Sequence, residues 1–220
     1  MYSQSEENYL KAIFLLGKRS DKAVNTNQLA KKLKTKASSI TDMVKRLSDK
    51  ELVDYKKYKG TRLTKNGEKI ALSILRKHRL WETFLVDKLK FSWDEVHDIA
   101  EQLEHIQSPE LVHRLDAFLG FPETDPHGDP IPDENGNILH TQSHTLASMP
   151  FQTKVILVGL KDSSDEFLRY LDHRQLSLGD SVEIIAIEAY DQSYSIISKN
   201  KLFSLSETAV NNLLVKKQEP

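Results

Sequence analysis

Apolar residues recur at helical spacing through the first fifty positions of the chain. Residues 4–18 carry them at 9, 10, 13, 14 and 16, which predicts an amphipathic helix. After a polar break, Thr26 predicts the cap of a short helix over NQLAKKL. In the segment KTKASSITDMVKRLSDKELV, Ile40, Met43, Val44 and Leu47 share one face, while Ser39, Thr41, Asp42, Lys45 and Arg46 share the other. The period then changes, and VDYKKYKGTRLTKNG predicts two short strands around a turn at Gly60. Three helices and a hairpin within residues 1–65 form the winged helix-turn-helix pattern.

Beyond it, three further helical pieces are predicted at 66–89, 93–106 and 109–119, broken at KFSW and SP, with Ser92 or Asp94 capping the middle one. They define a helical domain over 66–120. Six of the seven prolines lie between 109 and 150, so 121–150 reads as an extended linker. Afterwards VILVGL, SVEIIAIEAY, YSIIS and LFSL predict short strands, with SSDEFLRYLD (163–172) a short helix among them. Residues 151–220 are therefore expected to form a small β-barrel, and the chain as a whole an α+β fold.

Charge distribution adds function to this outline. Residues 1–65 hold 16 Lys and Arg against 7 Asp and Glu, residues 66–150 hold 7 against 15, and residues 151–220 hold 8 against 10. A basic N-terminal region suits a polyanion, and an acidic middle suits a cation. The chain has no cysteine, which excludes disulfides, thiolate zinc sites and cysteine nucleophiles. No apolar run reaches the roughly 20 residues needed to span a bilayer. With the acidic, polar start MYSQSEENYL, the expectation is a cytoplasmic protein with no membrane partner.

The acidic middle contains VHDIAEQLEH (96–105). At about 100° per residue, His97, Glu101, Glu104 and His105 fall in a wedge of roughly 100° on a helix. Val96, Ile99, Leu103 and Ile106 lie opposite, free to face a core. The preceding helix adds His78 and Glu82, four apart. Two antiparallel helices would thus converge six ligands on one or two divalent ions. Imidazole and carboxylate without sulfur suit Mn(II), Fe(II), Co(II) or Zn(II), and an oxygen-rich, flexible site favours Mn(II). His113, His127, His140, His144 and His173 read as linker or surface residues.

In the basic region, Lys36, Ser38, Ser39, Thr41 and Asp42 stand at the start of the third helix, where base edges are read. Lys45 and Arg46 follow at phosphate-holding positions, and the hairpin adds Lys57, Lys59 and Arg62 as a wing over the backbone.

Taken together, RKHRLWETFL, VHDIAEQLEH, PHGDPIP (126–132) and LAKKLKTKASSITDMVKRL resemble the diphtheria-toxin-repressor family (DtxR), with its iron-dependent (IdeR) and manganese (MntR) regulators. The resemblance covers nearly the whole chain, and the C-terminal region is similar to the SH3-like, FeoA-like domain of the family's long members. It implies a homodimeric, metal-activated repressor of metal-uptake genes that binds a palindromic operator in double-stranded DNA, with no small-molecule substrate. It further implies one metal site of His78, Glu82 and His97, with oxygen ligands near Ser163 from Asp162, Asp165 or Glu166. A second site would use Glu101, Glu104 and His105 plus a first-helix residue, with Asn8 the available donor and Lys11 unable to bind a cation. Glu101, where iron regulators have cysteine, points to Mn(II), with Fe(II) the alternative and Zn(II) or Co(II) substituting in vitro. From a different class, the His/Glu cluster would serve a metallohydrolase, although no HExxH motif is present.

Overall fold

The computed structural model describes residues 2–20, 23–57, 59–139 and 142–218; His140 lies outside them. The chain divides into two units. The first comprises Met1–His78, Glu101–Arg114 and Pro132–Ile138, and the second comprises Arg79–Ala100, Leu115–Ile131 and Leu139–Pro220.

The first unit opens with α1 (Gln4–Ser20), α2 (Thr26–Lys32), α3 (Ala37–Asp49) and the hairpin β1 (Val53–Lys56) and β2 (Gly60–Leu63). Leu10 and Ile13 of α1, Leu29 of α2, and Ile40, Val44 and Leu47 of α3 close one core. Each such buried side chain contributes about 1.5–3 kcal/mol. The cap of α2 is Asn25 rather than Thr26. Its side chain accepts the Gln28 N–H, and the Gln28 side chain accepts the Asn25 N–H in return. That reciprocal pair satisfies two end donors, where Thr26 would satisfy one. β1 and β2 pair antiparallel, with Val53 opposite Leu63 and Lys56 opposite Gly60. Three further helices, α4 (Lys65–Asp87), α5 (Val96–Leu103) and α6 (Pro109–Phe118), each contribute residues to both units. α5 is shorter than its apolar period suggests, and Glu104 and His105 lie in the turn just beyond it.

In the second unit, β3 (His144–Thr145), β4 (Lys154–Leu160), β5 (Ser181–Ile187), β6 (Tyr194–Ser198), β7 (Lys201–Leu205) and β8 (Leu213–Lys217) form an antiparallel sheet in the order β3-β8-β4-β5-β6-β7. Register shifts at Leu157/Gly159 and Ile184/Ala186 bend it. The helices α7 (Asp165–Asp172) and α8 (Glu207–Asn212) complete the core through Phe167, Leu168, Leu171, Ala209 and Val210.

The proline-rich stretch 122–131, read from the sequence as part of a linker, is pinned in this unit. Asp125 Oδ1 accepts the N–H groups of His127 and Asp129 at 2.8 and 3.0 Å. Gly128 N–H returns to Asp125 O at 3.0 Å, and Leu160 N–H of β4 reaches His127 O at 3.2 Å. Gly128 has φ +84°, and a Cβ there would stand 2.2 Å from Val158 O. Only glycine fits both the left-handed backbone and the close approach to β4.

Candidate metal centre and nucleic-acid interface

Of the six candidate ligands, four read as one stripe and two from the preceding helix, His78, Glu101, Glu104 and His105 stand in the first unit, and Glu82 and His97 in the second. His78 and Glu82 are four residues apart on α4.

In the first unit, the centre of the arrangement is Glu104, whose side chain is fully buried. Its Oε2 lies 2.6 Å from His78 Nδ1 and 2.7 Å from Lys11 Nζ, while Lys11 Nζ also reaches Glu101 Oε1 at 3.3 Å. Burial pushes the Glu104 carboxyl up, but His78 and Lys11 outweigh it and hold the group below the usual carboxylate range. His105 Nδ1 sits 2.5 Å from Glu7 Oε2, and Gln107 holds the other Glu7 oxygen at 2.8 Å. His105 Nε2 stands 3.8 Å from Glu104 Oε1, and a tautomer with its proton on Nδ1, donated to Glu7, would offer the Nε2 lone pair to an ion. Among the described residues, Glu104 Oε1 and Asn8 Oδ1 are buried and accept no hydrogen bond. Two buried oxygens without donors and an imidazole held by a carboxylate are donor types that suit a divalent cation, but among the described residues Glu101, Glu104 and His105 do not form a closely set group of three metal-ligating side chains. Nearby, burial pushes the Lys77 ammonium down, with Glu7 and Glu104 opposing.

The second unit holds another group, and sequence reasoning missed half of it. Glu82 Oε1 is 3.3 Å from His97 Nδ1, and Glu82 Oε2 is 3.7 Å from His127 Nδ1. Glu82, Asp125 and His127 are all buried, with ligand atoms within 4.8 Å of one another. His127 Nε2 bonds the Trp93 carbonyl at 2.9 Å, so the ring is oriented with Nδ1 toward the carboxylates. Trp93 is fixed in turn by its Nε1–H on Asp172 at 3.0 Å and by stacking on the His127 ring. Burial disfavours the imidazolium, but Glu82 and Asp125 outweigh it and raise the His127 pKa to about 9. Burial raises Asp125 to about 7, with Glu82 and Asp129 adding to it and Arg79 and His127 opposing. Arg79 anchors the same loop, 3.4 Å from Asp125 Oδ2, 3.0 Å from Asp129 Oδ2 and 2.5 Å from Pro130 O. The Asp162 carboxylate accepts the Ser164 N–H at 3.0 Å, and Asp165 and Glu166 occupy the first turn of α7. Among the described residues, none of these three joins a group of three metal-ligating side chains.

Among the candidate DNA-contacting residues, Lys36 occupies the N-terminal flank of α3 without a side-chain cap bond, and Ser38, Ser39, Asp42, Lys45 and Arg46 are exposed along the helix. Thr41 is half-buried, its hydroxyl donating to Ala37 O at 3.1 Å. Lys57, Lys59 and Arg62 are exposed on and beside the hairpin. Arg46 also lies 3.6 Å from the buried Glu6, which Lys50 holds at 2.6 Å.

Comparison with known proteins places these two features in one family. Residues 1–61 match the iron dependent repressor N-terminal DNA binding domain, and residues 64–133 match the iron dependent repressor metal binding and dimerisation domain. An uncharacterized HTH-type transcriptional regulator of Methanocaldococcus jannaschii is 38% identical over 117 residues, covering 53% of this chain and 94% of that protein. The chain belongs to the iron-dependent repressor family.

A family member of known structure, a manganese-dependent transcriptional repressor in complex with manganese, superposes with a TM-score of 0.84. It is 33% identical, and the match covers 97% of this chain and 100% of that one. The iron-dependent repressor IdeR of Mycobacterium tuberculosis is 32% identical over 126 residues, 57% of this chain and 54% of that protein. This membership makes the chain a metal-dependent transcriptional repressor of the DtxR type, not a metallohydrolase. It has the family's DNA-binding and dimerisation domains followed by a sheet domain. No helix among the described residues is long and apolar enough to cross a membrane.

Proposed function

We propose that this family member is a Mn(II)-activated repressor of metal-uptake genes, acting as a homodimer on a palindromic operator. The observation that carries the manganese reading is the donor set. The candidate residues of both units offer only carboxylate, amide and imidazole atoms, with Glu101 where a sulfur ligand would favour a softer ion. The ion supplies positive charge that draws these donors together. His78, Glu101, Glu104, His105 and Asn8 would hold it in the first unit, and Glu82, His97, Asp125 and His127 in the second.

This chain's own residues connect the first group to the DNA-reading helix. Glu7, Asn8 and Lys11 lie on α1, and the buried face of the same helix, Leu10 and Ile13, packs in one core with Ile40, Val44 and Leu47 of α3. A change in how α1 is held at its polar face therefore reaches α3 through close-packed side chains. Two-fold sites read by paired α3 helices are sensitive to such shifts, because half-sites recur at about 34 Å. A coupling of about 1–3 kcal/mol changes operator affinity by roughly 5–150-fold.

The test is DNA affinity at fixed salt for a promoter of a metal transporter from the same organism, in chelator and with Mn(II), anaerobic Fe(II) or Zn(II). Tighter binding with Mn(II) that disappears in Glu104→Ala supports the proposal. An equal gain with Fe(II) would move the assignment to iron, the metal named for the IdeR relative.

A further inference from the structure

Lys11 is an unexpected occupant of the first-unit group. Its side chain is only 9% exposed, and its ammonium bridges Glu104 Oε2 at 2.7 Å and Glu101 Oε1 at 3.3 Å. A buried lysine is ordinarily costly, so its partners must compensate for lost water. Here they do, because one of the two carboxylates, Glu104, is fully buried and draws its compensation from Lys11 together with His78, 2.6 Å from the same oxygen. The other half of the same carboxylate is in a different state. Glu104 Oε1 is buried, accepts no hydrogen bond among the described residues, and faces His105 Nε2 at 3.8 Å. His105 is held through Nδ1 by Glu7 at 2.5 Å, so that Nε2 is the ring nitrogen available to an ion. The group is therefore divided, with an ammonium on one side and a lone-pair pocket on the other.

We infer that Lys11 is a tethered competitor for this site. Its ammonium is the resident cation of the Glu101 and Glu104 carboxylates, and a divalent ion binds there only by displacing it. Two cations a few ångströms apart on one carboxylate repel strongly in a buried setting. The ion must therefore release Lys11 toward solvent, and the ion pair it breaks sets the concentration at which it enters. Asn8, one helical turn before Lys11 on α1, carries the buried unpaired amide oxygen. Exchanging the α1 contact from Lys11 to an ion held by Asn8 would change how α1 is fastened. Lys11 thus sets the response threshold and is a positioning residue for the switch.

The inference rests on the reading that these residues hold metal, and the experiment separates the two. Mn(II) binding to the full chain is measured by electron paramagnetic resonance and calorimetry for wild type, Lys11→Met, Lys11→Arg and Lys11→Met/Glu104→Gln. Removing the competing charge should tighten the ion bound at Glu104 by roughly tenfold or more. Lys11→Arg should remain as weak as wild type or weaker, and Glu104→Gln should cancel the gain. Binding by Lys11→Met where wild type binds one ion fewer supports the inference. Wild type and Lys11→Met with the same affinities and the same number of ions overturn it, leaving the metal-sensor reading intact. If neither protein binds Mn(II), both fall. Should Lys11→Met not fold, Lys11→Gln, which keeps a polar head without charge, replaces it with the same expectations.

Discussion

Replacing Asp125 separates what this carboxylate does for the fold from what it does for an ion. Its Oδ1 accepts two N–H groups, from buried His127 and exposed Asp129, and its Oδ2 lies 3.4 Å from Arg79 Nε. In Asp125→Ala the buried His127 N–H loses its partner, at about 1–3 kcal/mol, while the exposed Asp129 N–H turns to water at lower cost. Arg79 keeps Asp129 and Pro130. At acid pH, where the folded chain keeps Asp125 protonated, the net loss is about 3 kcal/mol, and at pH 8 removal of the disfavoured charge offsets part of it. Asp125→Asn keeps the Oδ1 acceptor and removes a charge that burial and two neighbouring carboxylates disfavour. Asp125 is raised from 3.8 to about 7 on folding. The folded state therefore retains a proton to higher pH, and stability falls as pH rises from 3.8 toward about 7. Asp125→Asn abolishes that fall, so at pH 8 in chelator it should equal or exceed wild type. With free Mn(II) a hundredfold above Kd, wild type should gain about 2.7 kcal/mol per ion, and Asp125→Asn should gain clearly less. Urea unfolding with and without Mn(II) reads all three proteins. Asp125→Ala as stable as wild type, or Asp125→Asn as damaged as Asp125→Ala, would refute the reasoning.

Four further outcomes are expected. Gly128→Ala should destabilise the second unit by at least about 2 kcal/mol, from the left-handed backbone and the collision with Val158 O, measured by thermal unfolding. In chelator, His127, raised from 6.5 to about 9, contributes stability that is full below pH 6.5 and lost as pH climbs through 9. His127→Gln should flatten that part of a stability-versus-pH profile. Lys45→Ala or Arg62→Ala should weaken operator binding and lower the slope of log affinity against log salt by about 0.9 each. Phe118 and Phe121, 64% and 63% exposed, offer apolar surface for the family's dimer. Phe118→Glu should shift sedimentation toward monomer if they serve it.

The N-terminal architecture was legible because its signals are local. The apolar period of α3 and the strand–turn–strand of the wing each lie within a few residues. The candidate ligands could be proposed for the same reason, since His78 with Glu82 and His97 with Glu101 repeat at four residues. The wheel over-reached at Glu104 and His105, which follow the end of α5, and it could not see Lys11 arriving from ninety positions away. Asp125 and His127 were hidden inside a stretch that composition alone labels a linker. A finer signal was present. DPHGD and DENGN fold as the same turn, with Asp133 Oδ1 accepting from Asn135 and Asn137 as Asp125 does from His127 and Asp129. An aspartate followed three residues later by glycine, twice over, marks side-chain-capped turns rather than loose chain.

In the proposed function metal and DNA binding are linked, and linkage is reciprocal. The direct test is Mn(II) titration of the full chain with and without a duplex bearing the metal-transporter promoter, beside the DNA titration with and without Mn(II). The account predicts that DNA tightens Mn(II) binding by the same factor by which Mn(II) tightens DNA binding. A Mn(II) affinity indifferent to saturating operator DNA would contradict it.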